Sequence, residues 1–163
     1  MSTRVETSHE TSGGVEEAFA ILTSPEWPAR KAAELGDGSA VVEREVHPGG
    51  GVRLVVSREL PSGVPGFLER FLPADGRVVQ TDEWGPAAGG ERHGRWSVSL
   101  PGAPASMGGT MRLEPTAAGS RYAIEGEVTV KVPLIGGRAE RFIGDMVVKL
   151  TDKEADMLSR SLG

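Results

Sequence analysis

The chain has 163 residues, a net charge of -5 and no cysteine. That length suits one domain with a real core, and the missing cysteine excludes disulfides and thiolate metal sites. No basic run is present to attract nucleic acid, and no apolar run approaches the roughly 20 residues of a membrane span. The opening MSTRVETSHE has no apolar signal region, so the expectation is a cytoplasmic protein without stable membrane insertion.

Thr3 to His9 alternates and reads as a first strand. Thr11 or Ser12 can cap the next segment, with Glu16 near the capping-box position. Val15 to Thr23 places Val15, Ala18, Phe19 and Leu22 on one face, which makes a short amphipathic helix. Pro25 to Leu35 is rich in helix formers, with Trp27 and Leu35 as its buried points, and Gly36-Asp37-Gly38 stops it.

From there the period changes to two. Ala40 to Val46, Val52 to Arg58, Arg77 to Trp84, His93 to Leu100, Met107 to Leu113 and Arg121 to Val132 read as six strands, with Gly- and Pro-rich links between them. The link from Leu60 to Asp75 is too apolar for a simple loop. Its Phe67, Leu68, Phe71 and Leu72 predict a short helical turn or flap that is either a lid or a packed connection. Pro133 to Leu162 then carries apolar residues at steps of three and four: Ile135, Ala139, Phe142, Ile143, Met146, Val147, Leu150, Met157, Leu158 and Leu162. A helix of that length spans roughly 40 Å and needs an equally long apolar surface to lie on.

Register supplies that surface. Pairing Leu100 with Met107 sets Trp96 against Met111 and Val98 against Gly109. The next hairpin sets Met111 against Ile124, Leu113 against Tyr122 and Gly109 against Gly126. One face of the sheet then collects Trp84, Trp96, Val98, Leu100, Met107, Met111, Leu113, Tyr122, Ile124, Val128 and Val130, and the other collects charges and hydroxyls. The expected fold class is α+β: a curved antiparallel sheet of about seven strands wrapped around a long C-terminal helix, with two short helices after strand one.

That order, with VKVPLIGGRAE (Val130 to Glu140) entering the helix and PGFLERFL (Pro65 to Leu72) before it, resembles the helix-grip fold of the START, birch-pollen-allergen and polyketide-cyclase (SRPBCC) superfamily. The resemblance covers residues 1–163 as one domain. It implies a cavity between sheet and helix that commonly holds an apolar ligand, and it brings no catalytic signature.

The candidate wall of such a cavity is Trp84, Trp96, Met107 and Met111 on the sheet, with Phe142, Met146 and Leu150 on the helix and Phe67 and Phe71 in the flap. These side chains can equally be plain core. Gly109 and Gly126 leave room for a ligand, for Phe142 or Met146, or for a bend in the sheet. Gln80 and Asp82 point inward with Trp84. Asp82 can pair with Arg44 or Arg58, anchor a polar ligand head, act as a base with Tyr122 as donor, or lie in water at the mouth. His9, His47 and His93 lack metal-ligand spacing, and the glycine clusters lack phosphate-loop spacing, so no cofactor is expected.

Three functions are open, in this order. The first is binding or transport of a small hydrophobic or amphipathic ligand, lipid- or polyketide-like, with no confident catalytic residue. The second is a cyclase or dehydratase type of enzyme built on Asp82 and Tyr122. The third is a protein-interaction module with a filled cavity. The expected partner is a small apolar ligand; any protein partner is unspecified.

Overall fold

The computed structural model describes residues 2–35, 40–59, 64–69 and 76–162, with Leu35 by its backbone alone. The expected stop at Gly36-Asp37-Gly38, the burial of Leu35 and the placement of Phe71 and Leu72 lie outside the described residues. The order is β1 (Thr3–Thr11), α1 (Val15–Leu22), α2 (Trp27–Leu35), β2 (Ala40–Val46), β3 (Val52–Glu59), α3 (Gly66–Glu69), β4 (Arg77–Trp84), β5 (Arg92–Ser99), β6 (Ala105–Pro115), β7 (Ser120–Val130) and α4 (Gly136–Leu162). The strands form one antiparallel sheet in the order β1-β7-β6-β5-β4-β3-β2. The expected helix-grip architecture is the observed one.

Alternation decides which face is buried. Trp84, Trp96, Leu100, Met111, Leu113, Tyr122, Ile124, Val128 and Val130 are all buried, and α4 closes over them with Ala139, Ile143, Met157 and Leu158. α4 packs chiefly on β1 and β7. The approach is close, since a Cβ on Gly144 would stand 3.1 Å from Val5 Cγ1. Glu140 is only 1% exposed. It is satisfied there by Thr3 Oγ1 at 3.1 Å and by the Val130 N–H at 2.9 Å. The glutamate of the GGRAE run thus ties the start of α4 to both strands beneath it.

Four local expectations need correction. The β5–β6 register is two residues away from the expected one: Val98 faces Met107, Trp96 faces Gly109 and Gly94 faces Met111. The hairpin loop is shorter, because Ala105 and Ser106 already belong to β6. A slip of two keeps every side chain on its face, whereas a slip of one would have inverted them all. The β6–β7 register is as expected, and Trp84 pairs with Gly94. α4 begins at Gly136 rather than Pro133, because Leu134 has φ +72° and cannot be part of a right-handed helix. α1 is entered from Gly14, whose N–H donates to Glu17 Oε1; Thr11 Oγ1 instead accepts the N–H of Gly13. Arg44 lies on the edge strand and gives its Nε to Thr23 O at 2.8 Å, so it does not reach Asp82.

Arg92 fastens α1 to the sheet. Its guanidinium carbon lies 3.8 Å from the centroid of the Phe19 ring. Nε and Nη2 donate to the two Glu16 oxygens at 2.9 and 2.7 Å, and Nη1 donates to Gly50 O and Gly85 O at 3.0 and 3.1 Å. Phe19 in turn meets Trp84 edge-on at 5.7 Å.

Candidate functional site

The middle of the sheet positions the site. On β4, Gln80, Asp82 and Trp84 face inward, with Asp82 between Leu54 of β3 and Trp96 of β5. β7 supplies Tyr122, β3 supplies Arg58, α2 supplies Lys31 and α4 supplies Glu154. Together with Trp96, Val98, Met111, Ile124, Val147, Leu150 and Thr151 these groups line a cavity of about 80 Å3 between sheet and helix. A chamber of about 20 Å3 lies beside it, walled by the same polar groups and by Leu22, Trp27, Leu54, Val56 and Trp84.

The polar groups form two hydrogen-bonded sets. In one, Arg58 Nη1 donates to Gln80 Oε1 at 2.5 Å, and Gln80 Nε2 donates to Asp82 Oδ1 at 3.0 Å. In the other, Glu154 is the acceptor for three donors. Lys31 Nζ reaches Oε2 at 2.6 Å and Trp27 Nε1 reaches it at 3.3 Å, while Tyr122 donates to Oε1 at 3.4 Å.

Electrostatics separates the two carboxylates. Burial pushes the Asp82 carboxyl up to about 6, against the opposing pull of the Gln80 hydrogen bond and the Lys31 charge. Burial acts on Glu154 in the same direction, but the charge and hydrogen bond of Lys31, with Arg58 and Trp27, outweigh it and hold that carboxyl below its ordinary value. Burial, the Glu154 charge and the Asp82 charge all push the Tyr122 hydroxyl well above its usual range, so it stays protonated. The site therefore holds one firmly ionised carboxylate and one that takes up a proton at about pH 6.

Of the residues expected to line a cavity, Gln80, Trp96, Met111, Leu150 and Asp82 line the main one, as does Tyr122, and Trp84 lines the small chamber. Met107 and Phe142 pack against the core away from it. Met146 is half-buried and also off the wall. Phe67 packs against the core with the Arg138 guanidinium 4.2 Å above its ring. The hollow above Gly126 is filled by Trp96, whose ring lies 2.6 Å from where a Cβ would stand and whose Nε1 donates to Glu125 O.

Lys31 and Glu154 were missed, yet both leave a trace. Lys31 stands four residues from Trp27 and four from Leu35. Glu154 stands four from Leu150 and four from Leu158, filling the gap in the apolar stripe. A charged residue in register with a buried face is the readable sign.

Among the described residues no group of three or more His, Asp or Glu is arranged to hold a metal ion, and no helix is long and apolar enough to cross a membrane. A wider, open hollow of about 480 Å3 lies on the outer face of the sheet, lined by Glu83, His93, Arg95, Thr110, Arg112 and Glu125 among others. His93 and Arg112 there already meet Glu91 and Glu114, as a solvated charged face does.

Three similarities bear on identity. An uncharacterized protein of Mycobacterium tuberculosis (strain H37Rv) is 28% identical over 155 residues, covering 90% of this chain and 89% of that protein. The di-domain ARO/CYC StfQ from the steffimycin biosynthetic pathway superposes with a TM-score of 0.65 at 15% identity, over 99% of this chain and 50% of that one. Norcoclaurine synthase from Thalictrum flavum superposes at 0.58 and 12% identity, over 98% of this chain and 86% of that one. At such identities the two structures speak for the fold alone. The model for the protein family of unknown function DUF2505 matches residues 6–162, and the chain belongs to that family.

Proposed function

We propose that this protein binds a small amphipathic molecule between the sheet and α4. Its apolar body lies against Trp96, Met111, Ile124, Val147 and Leu150, and its polar end lies at Lys31 and Asp82. One observation carries the reading. Four acidic or basic side chains, a phenol and an amide converge on a cavity in the place where a filled core would hold only apolar groups, and taking charge out of water is costly even when it is paired. The shared fold with StfQ and norcoclaurine synthase, whose names speak of cyclisation and synthesis, supports an interior site of this kind.

Size constrains the ligand. About 80 Å3 is the space of a few waters, whereas pockets for drug-sized ligands run to roughly 300–1,000 Å3. The ligand is therefore small, or a longer lipid- or polyketide-like body enters by displacing Val147 and Leu150. Native mass spectrometry of freshly purified protein, with titration of an environment-sensitive dye, tests the reading. A retained small molecule or saturable dye uptake supports it. A chain that binds neither, but captures a protein partner, would favour a filled interaction module instead.

A second reading is an acid–base enzyme of cyclase or dehydratase type. It is favoured by the Asp82 carboxyl, pushed to about 6 beside the protonated Tyr122. Once a substrate is found, Asp82→Asn abolishes turnover while leaving binding intact; unchanged turnover would end this reading.

A further inference from the structure

The valences left over in the cavity specify the ligand's polar end. Both oxygens of Glu154 are already engaged: Oε2 accepts from Lys31 and Trp27, and Oε1 accepts from Tyr122. The amide of Gln80 is oriented by the Arg58 guanidinium on its oxygen, so its nitrogen faces Asp82. Lys31 and Asp82 retain capacity towards the space they line. Lys31, 8% exposed, gives one hydrogen bond to Glu154 among the described residues. An ammonium has three N–H groups. Asp82 receives the Gln80 hydrogen bond on Oδ1, which leaves Oδ2 for the cavity.

Each ligand class can be set against these two groups. A cation would find Asp82, but Lys31 and Arg58 line the same space and repel it. A neutral donor satisfies Asp82 and leaves the Lys31 donors unused. An acceptor satisfies Lys31, and is tolerated beside Asp82 only if that carboxyl carries a proton and donates it as a hydrogen bond. The groups facing Asp82 are Lys31 from α2, Arg58 from β3, Tyr122 from β7 and Glu154 from α4. Lys31 and Arg58 welcome a second negative charge; Glu154 opposes it from within its own ion pair.

We infer that the ligand is a small organic anion, a carboxylate or an enolate of similar size, held by Lys31 and by a protonated Asp82, so that binding takes up one proton. The ligand's charge replaces the aspartate's own. This rests on the reading that the cavity takes a ligand at all.

Calorimetric titration with benzoate and isovalerate against their neutral amides, benzamide and isovaleramide, tests it. Titrations at about pH 6 and pH 8, each in two buffers of different ionisation enthalpy, read the proton directly. The anions are expected to bind at least about tenfold more tightly than the amides at the lower pH. Their affinity should fall about 50-fold by the higher pH, because only the protonated fraction of Asp82 is competent. Uptake should approach one proton per anion at the higher pH. In Asp82→Asn the side-chain amide donates permanently, so anion binding persists and its pH dependence flattens. Equal affinity for anion and amide, or anion binding without proton uptake by the wild-type protein, would overturn the inference and leave the ligand site standing. Binding of neither class would overturn both.

Discussion

Lys31 Nζ lies 2.6 Å from Glu154 Oε2, joining α2 to α4 across 123 positions of chain in a setting where the two side chains are 10% and 15% exposed. Removing one partner strands the other charge. Lys31→Met alone is expected to destabilise by about 3–5 kcal/mol. Lys31→Met with Glu154→Gln removes both charges, keeps an acceptor for Trp27 and Tyr122, and should recover most of the loss. Urea unfolding of the three proteins checks this; a double variant as unstable as the single one would show that packing, not charge, is at stake. The pair also has a pH signature. Glu154 is held below its ordinary 4.5, so its stabilisation is complete above that value and is lost as pH falls through the lower folded one.

Asp82 has the opposite sign. Its folded value of about 6 exceeds the ordinary 3.8. The folded state binds the proton more tightly than the unfolded chain, so stability declines as pH rises from about 4 to 6 and stays lower above that. Asp82→Asn should therefore stabilise the protein at pH 7–8 by up to about 3 kcal/mol, and hardly at all below pH 4. Melting temperatures across that range decide the matter. A variant less stable than wild type at neutral pH would mean that the carboxylate is well solvated.

Arg92 is 7% exposed and makes a cation–π contact, a bidentate ion pair and two carbonyl hydrogen bonds. Lysine cannot reproduce the planar fork. Arg92→Lys is expected to cost about 2 kcal/mol and Arg92→Ala about 3 or more. Glu16 is mostly exposed, at 61% of its side chain, so Glu16→Gln should cost well under 1 kcal/mol. Denaturant midpoints of the three variants give the order directly.

Gly126 holds Trp96 in place. A Cβ there would stand 2.6 Å from the Trp96 ring and 2.5 Å from Gly108 O, so Gly126→Ala should destabilise by about 1–3 kcal/mol. It should also change Trp96 emission, because the displaced ring moves into the cavity it lines. Unchanged fluorescence would show that the backbone, not the ring, gives way.

These residues also show how far the sequence could be read. The sorting of Trp84, Trp96, Met111 and Tyr122 onto one face was legible because alternation has a period of two. The β5–β6 slip from Val98–Gly109 to Val98–Met107 left that sorting untouched for the same reason. The start of α4 was not legible, since nothing in the run Pro133-Leu134-Ile135 announces a left-handed Leu134. Asp82 and Tyr122 could be singled out as inward polar groups. Gln80 and Arg58 were legible beside Asp82, whereas the meeting of Lys31 with Glu154 was not, because they lie on two different helices and only the tertiary fold brings them together. Glycine at 126 leaves room for a ligand, for Phe142 or Met146, or for a bend in the sheet, and Trp96, which pairs with Gly109 beside it, takes that room. Of the expected helix wall of Phe142, Met146 and Leu150, Leu150 lines the cavity, and Val147, Thr151 and Glu154 of the same helix line it beside Leu150.

The most direct test of an interior site is a methyl-resolved NMR titration with benzoate near pH 6. Shifts concentrated on Ile124, Val147 and Leu150, with Thr110 and Ala123 of the outer face unmoved, are the predicted result. Shifts confined to the outer face, or none at any concentration short of denaturation, would contradict it.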